Sequence, residues 1–214
     1  MSSREQFYQL NSIEEDQKIL STIIEQIAKQ TPLRLLKDSE KIQIKKQLQL
    51  YDSFKEYRTT SLFDAYVIEH SHPFKLLIVT TTSILQRVAY KKVILSENVP
   101  DHGFVGFVQL KKNYAHTYLR PETISDKLNE LLHRVEIDFE INKKFSKKYY
   151  ALSSDEKALR SQISPELLNT IANYDDLEIE IINKMLIVRT RNRISQKSAD
   201  TVIQFLKEIC NGIN

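Results

Sequence analysis

Between residues 60 and 119 the chain carries four segments, "LFDAYVIEH", "KLLIVTTTSIL", "KKVILSE" and "FVGFVQL", dense in Val, Ile, Thr and aromatic residues. Side chains branched at Cβ fit a pleated surface and lose freedom in a helix. Turn-forming residues separate the segments: Ser71-His72-Pro73, then Asn98-Val99-Pro100-Asp101-His102-Gly103. The expectation is an antiparallel sheet. "HTYL" adds a strand that runs to Pro121, which has no N–H for a ladder and suits the first turn of a helix.

Helical periods flank these strands. Ser12 with Glu15 has the spacing of a capping box, and Ile13, Leu20, Ile24 and Ile27, widened by Ile19 and Ile23, recur at helical intervals until Thr31-Pro32. Residues 33–57 read as helix from Ile44, Leu48 and Tyr51. After Pro121, Leu128, Leu131 and Leu132 mark a helix whose first turn holds Glu122. Val135, Ile137, Phe139 and Ile141 then alternate with Glu136, Asp138 and Glu140, a period of two that predicts a strand with its carboxylates outward. A second extended segment covers roughly 147–152. Ser153 and Glu156 open a helix burying Ala158, Leu159 and Ile163, and Ser164-Pro165 opens another burying Leu167, Leu168 and Ile171. "LEIEIINKMLIVRTR" is a hairpin turning at Asn183-Lys184, since Asn tolerates positive φ. Ser195 caps a last helix with the stripe Ala199, Val202, Phe205, Leu206 and Ile209, ended by Asn211-Gly212. The whole reads as α+β: an N-terminal helical arm over 1–57 and an antiparallel sheet with packed helices over 58–214.

Composition removes several functions. Three glycines cannot supply a P-loop or a dinucleotide fingerprint. The single cysteine, Cys210, allows no internal disulfide and no zinc-type cysteine spacing. "MSSREQFYQL" has no apolar core of a signal peptide, and "LLIVTTTSIL" falls short of the roughly 20 residues that span a bilayer, so a cytoplasmic chain without a transmembrane segment is expected. A net charge of +3 is modest for a nucleic-acid binder.

Candidate chemistry is sparse. His70 and His72 stand at i, i+2, with His102 and His116 elsewhere, but no carboxylate follows at a metal-ligand spacing, so no metal or cofactor is expected. Glu122, Asp138 and Glu140 offer carboxylates for acid–base work, yet Glu122 suits a helix start and the other two an outward strand face; Arg120 and Asp138 are expected to pair. No nucleophile elbow is present, and Cys210 reads as a packing residue. A basic set remains as the anion-binding candidate: Lys143, Lys144, Lys147 and Lys148 beside Tyr149 and Tyr150, with Arg189, Arg191 and Arg193 alternating along a strand.

The order "YLRPE", "EIDFE", "FSKKYYALSSDEKALRSQISPELL", hairpin, "FLKEI" resembles the C-terminal domain of a widespread bacterial family of uncharacterised proteins, over roughly residues 115–209. Arg120, Pro121, Glu122, Asp138, Phe139, Phe145, Ser146, Tyr149 and Asp155 carry the resemblance. It implies an α+β domain with no assigned activity, in a family whose members often have transmembrane helices upstream. Together these readings predict a binding or interaction module without catalysis, with a protein partner or self-association through the helix face around Ile19 and Ile23. The alternative is a binder of nucleic acid or an anionic surface through the Lys/Arg/Tyr set; a hydrolase-type enzyme ranks third.

Overall fold

In a computed structural model, residues 3–55, 57–89, 93–123, 137–191 and 194–212 are described, and of 3–16, 84–89 and 93–100 the backbone alone. Helix α1 spans Ser3–Gln30, strand β1 Leu33–Leu35, helix α2 Asp38–Leu48 and a 3-10 turn, η1, Asp52–Phe54. Strands β2 (Thr59–Ile68), β3 (Phe74–Ala89), β4 (Val93–Gln109) and β5 (His116–Pro121) follow. A helical turn α3 (Lys143–Ser146), strand β6 (Tyr149–Ser153) and helices α4 (Glu156–Gln162) and α5 (Pro165–Ala172) lead to the β7 (Leu177–Ile182) and β8 (Met185–Thr190) hairpin and the last helix, α6 (Gln196–Gly212). All eight strands join one antiparallel sheet in the order β1-β2-β3-β4-β8-β7-β5-β6, so the expected α+β class is the one observed.

Alternation divides every strand between two faces. One face forms the main core: Leu76, Ile78, Phe104, Leu119, Ile179, Ile181, Leu186 and Val188 meet Leu20, Ile23 and Ile27 of α1, Leu168 and Ile171 of α5, and Val202, Phe205 and Leu206 of α6. Gly106 lets α6 approach, because a Cβ there would lie 2.8 Å from Val188 Cγ1, 2.9 Å from Val202 Cγ1 and closer still to Leu206 Cδ1. On the other face Val67, Leu77, Val79, Val105, Phe107 and Ile187 pack under Ile44 and Leu48 of α2 and under Tyr51 and Phe54 around η1.

Local rules hold where they act over a few residues. Ser164 Oγ accepts from Leu167 N and starts α5; Ser195 Oγ accepts from Ser198 N and starts α6; Asn183 turns the hairpin with φ 58°. Five expectations fail. Of residues 33–57, expected as helix, Asp38–Leu48 is α-helix and Asp52–Phe54 a 3-10 turn, but Leu33–Leu35 pair with Tyr66–Ile68 as β1. Residues 98–103 are not a turn: Asp101, His102 and Gly103 pair with Thr81, Thr80 and Val79, so β4 runs unbroken. Pro100 is tolerated there because β4 pairs with β8 only from Val105 onward, leaving one edge outside a ladder. The α1 helix already runs at Ser12, which is therefore not its cap. Residues 137–141 form no strand, although Ile137 and Phe139 are buried and Asp138 and Glu140 exposed; Asn142 N donates to Phe139 O and folds the segment into a turn, leaving Ile141 exposed. Asp155 rather than Ser153 caps α4, accepting from Ala158 N at 2.9 Å. The expected helix with Leu128, Leu131 and Leu132, the start of the alternation at Val135 and Glu136, and Arg193 lie outside the described residues. No helix among the described residues is long and apolar enough to cross a membrane.

Candidate functional site

Strand β7 places Glu178 and Glu180 on the α2 face, one pleat apart, while Ile179 and Ile181 enter the main core. Both glutamates are buried, Glu178 to 4% exposure and Glu180 to 0%. Buried carboxylates cost several kcal/mol unless every oxygen is matched, to an order of magnitude. Here they are matched. Glu180 Oε1 accepts from Asp52 N (2.8 Å) and bonds His116 Nε2 (2.6 Å); Oε2 accepts from Ser53 N (2.9 Å) and from the Ser53 hydroxyl. Glu178 Oε2 accepts from Arg189 Nε (2.9 Å) and pairs with its Nη2 (2.9 Å), while Oε1 accepts from the Tyr118 hydroxyl.

These bonds hold the segment Tyr51–Tyr57 across the sheet. Tyr51 Oη donates to Met185 O (3.2 Å), Glu180 fixes the head of η1, and Arg189 Nη1 donates to Tyr57 Oη (3.0 Å) with its guanidinium 5.3 Å from both the Phe54 and Tyr57 rings. Burial alone would lower the Arg189 pKa, but Glu178 and Tyr57 outweigh it and hold it above the ordinary arginine value. Burial, then the Glu178 carboxylate, pushes the Tyr118 hydroxyl up.

Beside this segment opens a cavity of about 420 Å³, whose lining includes Phe54, Tyr57, Asp101, Tyr118, Arg120, Glu178, Arg189 and Arg191. It forms where β4 and β8 part: their pairing ends at Val105 and Arg189, with β8 ending at Thr190 while β4 extends on the other side of Val105 to pair with β3 alone. Arg191, 43% exposed, keeps its Nε 3.9 Å from Glu178 Oε2. Arg120 lies 4.8 Å from the ring of Tyr150, its cross-strand partner on β6, and its Nη1 donates to Pro121 O at 3.4 Å. Three arginines thus face two carboxylates, an excess of positive charge in a space large enough for a small molecule.

The chain matches no family model, no curated protein and no solved structure. Its function must be read from the site.

Lys143, Lys144, Lys147 and Lys148 do not line this cavity. Arg189 and Arg191 belong to the cavity on the α2 face. Lys144 Nζ donates to Asn173 Oδ1 (2.8 Å), and Lys148 Nζ donates to Ala172 O (2.9 Å) and Tyr174 O (3.2 Å) and pairs with Asp175, neutralising the end of α5. Lys143 and Lys147 are exposed on α3 and just after it. Tyr149 is fully buried, stacked 5.4 Å from Phe145, with its hydroxyl donating to Tyr174 O, so its ring has no open face for a base. The residues that carry the family resemblance do packing work: Phe139 meets Phe145 edge-on at 5.4 Å, Ser146 Oγ accepts from Phe139 N, and Glu122 N donates to Lys148 O where Pro121 ends β5. Asp138 is exposed and its carbonyl accepts from Arg160; Glu140 is exposed on the following turn. Of the described histidines, His70 and His72 sit in the β2–β3 turn, His102 bonds Thr80 Oγ1 (2.9 Å), and His116 alone joins carboxylates. Cys210 is buried, which pushes its thiol up.

The sequence does not single out Asp52, Tyr57, Tyr118, Glu178 or Glu180. The glutamates of "LEIEI" have the alternation of a half-solvated strand. Nothing local shows that a loop from 128 residues away closes over them.

Proposed function

We propose that this chain is a non-catalytic binding module, and that the cavity between η1 and strands β5, β7 and β8 receives a small molecule bearing phosphate or carboxylate groups. The observation that carries the reading is the convergence of Arg120, Arg189 and Arg191 on one cavity beside the Tyr57, Tyr118 and Phe54 rings. Planar guanidinium groups recognise such anions through paired N–H donors, and rings held by buried hydrogen bonds lose little entropy on binding. The charged groups there are engaged with one another, Glu178 with Arg189 and Tyr118, an arrangement that favours recognition over proton transfer. A cytoplasmic setting and membership of the bacterial family that the 115–209 motifs resemble belong to the same proposal; one buried thiol suits a reducing compartment.

Thermal melts at constant ionic strength test it, with inorganic pyrophosphate, ADP and citrate against a 20-base-pair DNA duplex. At least one small anion raises the Tm by a saturable amount, and Arg120→Gln with Arg191→Gln abolishes the rise. Ligand at about 100 times its Kd adds roughly 2.7 kcal/mol. Stabilisation by the duplex alone, lost when Lys143, Lys144 and Lys147 become Ser, would instead establish the polyanion reading.

A further inference from the structure

One pleat along from the cavity, three strand and turn positions bring an imidazole and two carboxylates together. Asp52 stands at the head of η1, His116 at the start of β5 and Glu180 on β7, and one ligand atom from each lies within 4.8 Å of the others. His116 Nε2 is 2.6 Å from Glu180 Oε1 and 3.7 Å from Asp52 Oδ2. Ligands about 2.0–2.2 Å from a tetrahedral ion stand roughly 3.3–3.6 Å apart. We propose that Asp52, His116 and Glu180 form a binding site for a divalent transition ion of the zinc class.

The three side chains suit different parts of that task. Glu180 is fixed: Ser53 N and Oγ hold Oε2, and Asp52 N takes one lone pair of Oε1, so that the other points at His116. Outer hydrogen bonds of this kind orient a ligand before the metal arrives. His116 and Asp52 are 35% and 52% exposed, which gives the ion an entry path and leaves room for water in the remaining positions. The ion takes the place of the hydrogen shared by Nε2 and Oε1: the Nε2 proton leaves to solvent, Nδ1 keeps or takes up one proton so that the imidazole binds as the neutral tautomer, and the exposed Asp52 side chain closes the third position. One imidazole with two carboxylates favours zinc and its neighbours, whereas magnesium and calcium prefer oxygen alone. A native cation already competes, since Lys55 Nζ sits 2.5 Å from Asp52 Oδ1. Three protein ligands with open positions make an exchangeable site rather than a closed structural one. Bridging β5, β7 and η1, the ion clamps the wall of the neighbouring cavity. The site stands on its own geometry and holds whether or not the cavity takes an anion.

The test uses the full chain stripped with EDTA, titrated with Zn²⁺ by calorimetry and with Co²⁺ by visible absorption. The wild type binds one ion, with the intense bands of four- or five-coordinate cobalt, and shows no heat with Mg²⁺. His116→Gln and Asp52→Asn, each at a partly exposed side chain and each checked by its metal-free melting curve, weaken Zn²⁺ binding by at least about 100-fold, since outer partners alone are worth about 10–100-fold. Lys55→Met tightens it by removing the competing ammonium. The double variant His70→Gln/His72→Gln binds as the wild type does. Undiminished Zn²⁺ affinity in both His116→Gln and Asp52→Asn, loss of binding in the His70/His72 double variant, or absence of binding in both the wild type and Lys55→Met overturns the proposal.

Discussion

The two faces of the sheet use the same strands for opposite ends. On β7, Ile179 and Ile181 point into the main core while Glu178 and Glu180 point under η1; on β8, Val188 meets α6 while Arg189 lies between Phe54 and Tyr57. The core face is closed by helices α1, α5 and α6 with apolar side chains. The other face is apolar beneath α2 and around η1, where Leu77, Val79 and Phe107 lie; toward β5 and β7 it becomes charged and opens into the cavity. Hydrophobic burial needs only a matching surface, whereas each buried carboxylate needs named donors at fixed positions. On the proposed function, the residues of the charged half serve binding as well as holding the η1 segment in place.

Substitutions can break that comparison in order of size. Arg189→Met leaves Glu178 buried without its main partner and should cost about 3–5 kcal/mol in urea unfolding. The double variant Arg189→Met/Glu178→Met should recover most of that stability while losing anion binding; a double variant as unstable as the single would show that the pair serves folding. On the core face Phe145→Ala, which removes a ring packed between Phe139 and Tyr149, should cost about 3–5 kcal/mol. Gly106→Ala pushes a methyl against Val188, Val202 and Leu206 and should cost about 1–3 kcal/mol. Anion affinity per folded molecule should stay unchanged in both.

A smaller effect depends on pH. Burial opposes the Asp64 carboxylate, but the Lys41 ammonium (2.8 Å), the Tyr66 hydroxyl (2.7 Å) and Ala65 N (2.9 Å) outweigh it and hold its pKa below the ordinary carboxyl value. Because the folded pKa is the lower one, the stabilisation is full above the unfolded-state value near about 4 and disappears as the pH falls through the folded value. Asp64→Asn should therefore cost about 0.5–1 kcal/mol at neutral pH, with solvent screening included, and the gap to wild type should close in acid melts. Arg191→Gln comes last: within about 0.5 kcal/mol of wild type in stability, yet weaker in anion binding.

What the sequence makes legible follows the range of the interactions. Ser164, Ser195 and Asn183 act within three residues of themselves, and the α6 stripe repeats at a helical period; all are readable from local spacing. Residues 98–103 carry turn chemistry, but pairing with Ile84 through Val79 overrides it. Residues 137–140 alternate in burial without forming a strand: alternation reports which side chains are buried, and a strand also needs a ladder. The charged half was hidden for the same reason. Glu180 meets Ser53 across 127 residues and His116 across 64, while Arg189 meets Tyr57 across 132, distances at which no motif spacing survives. Arg189 and Arg191 stand out as basic residues, but that they line a cavity with Arg120 and without Lys143, Lys144 and Lys147 does not, because alternation along β8 says nothing of where α3 packs.

The most direct test is an NMR titration of the ¹⁵N-labelled chain with inorganic pyrophosphate at fixed ionic strength. The account predicts saturable shifts at the amides of Tyr57, Tyr118, Glu178, Arg189 and Arg191, with Lys143, Lys144 and Lys147 unmoved. Shifts centred on Lys143–Lys147, or no saturable shift on the η1 side of the sheet, would contradict it.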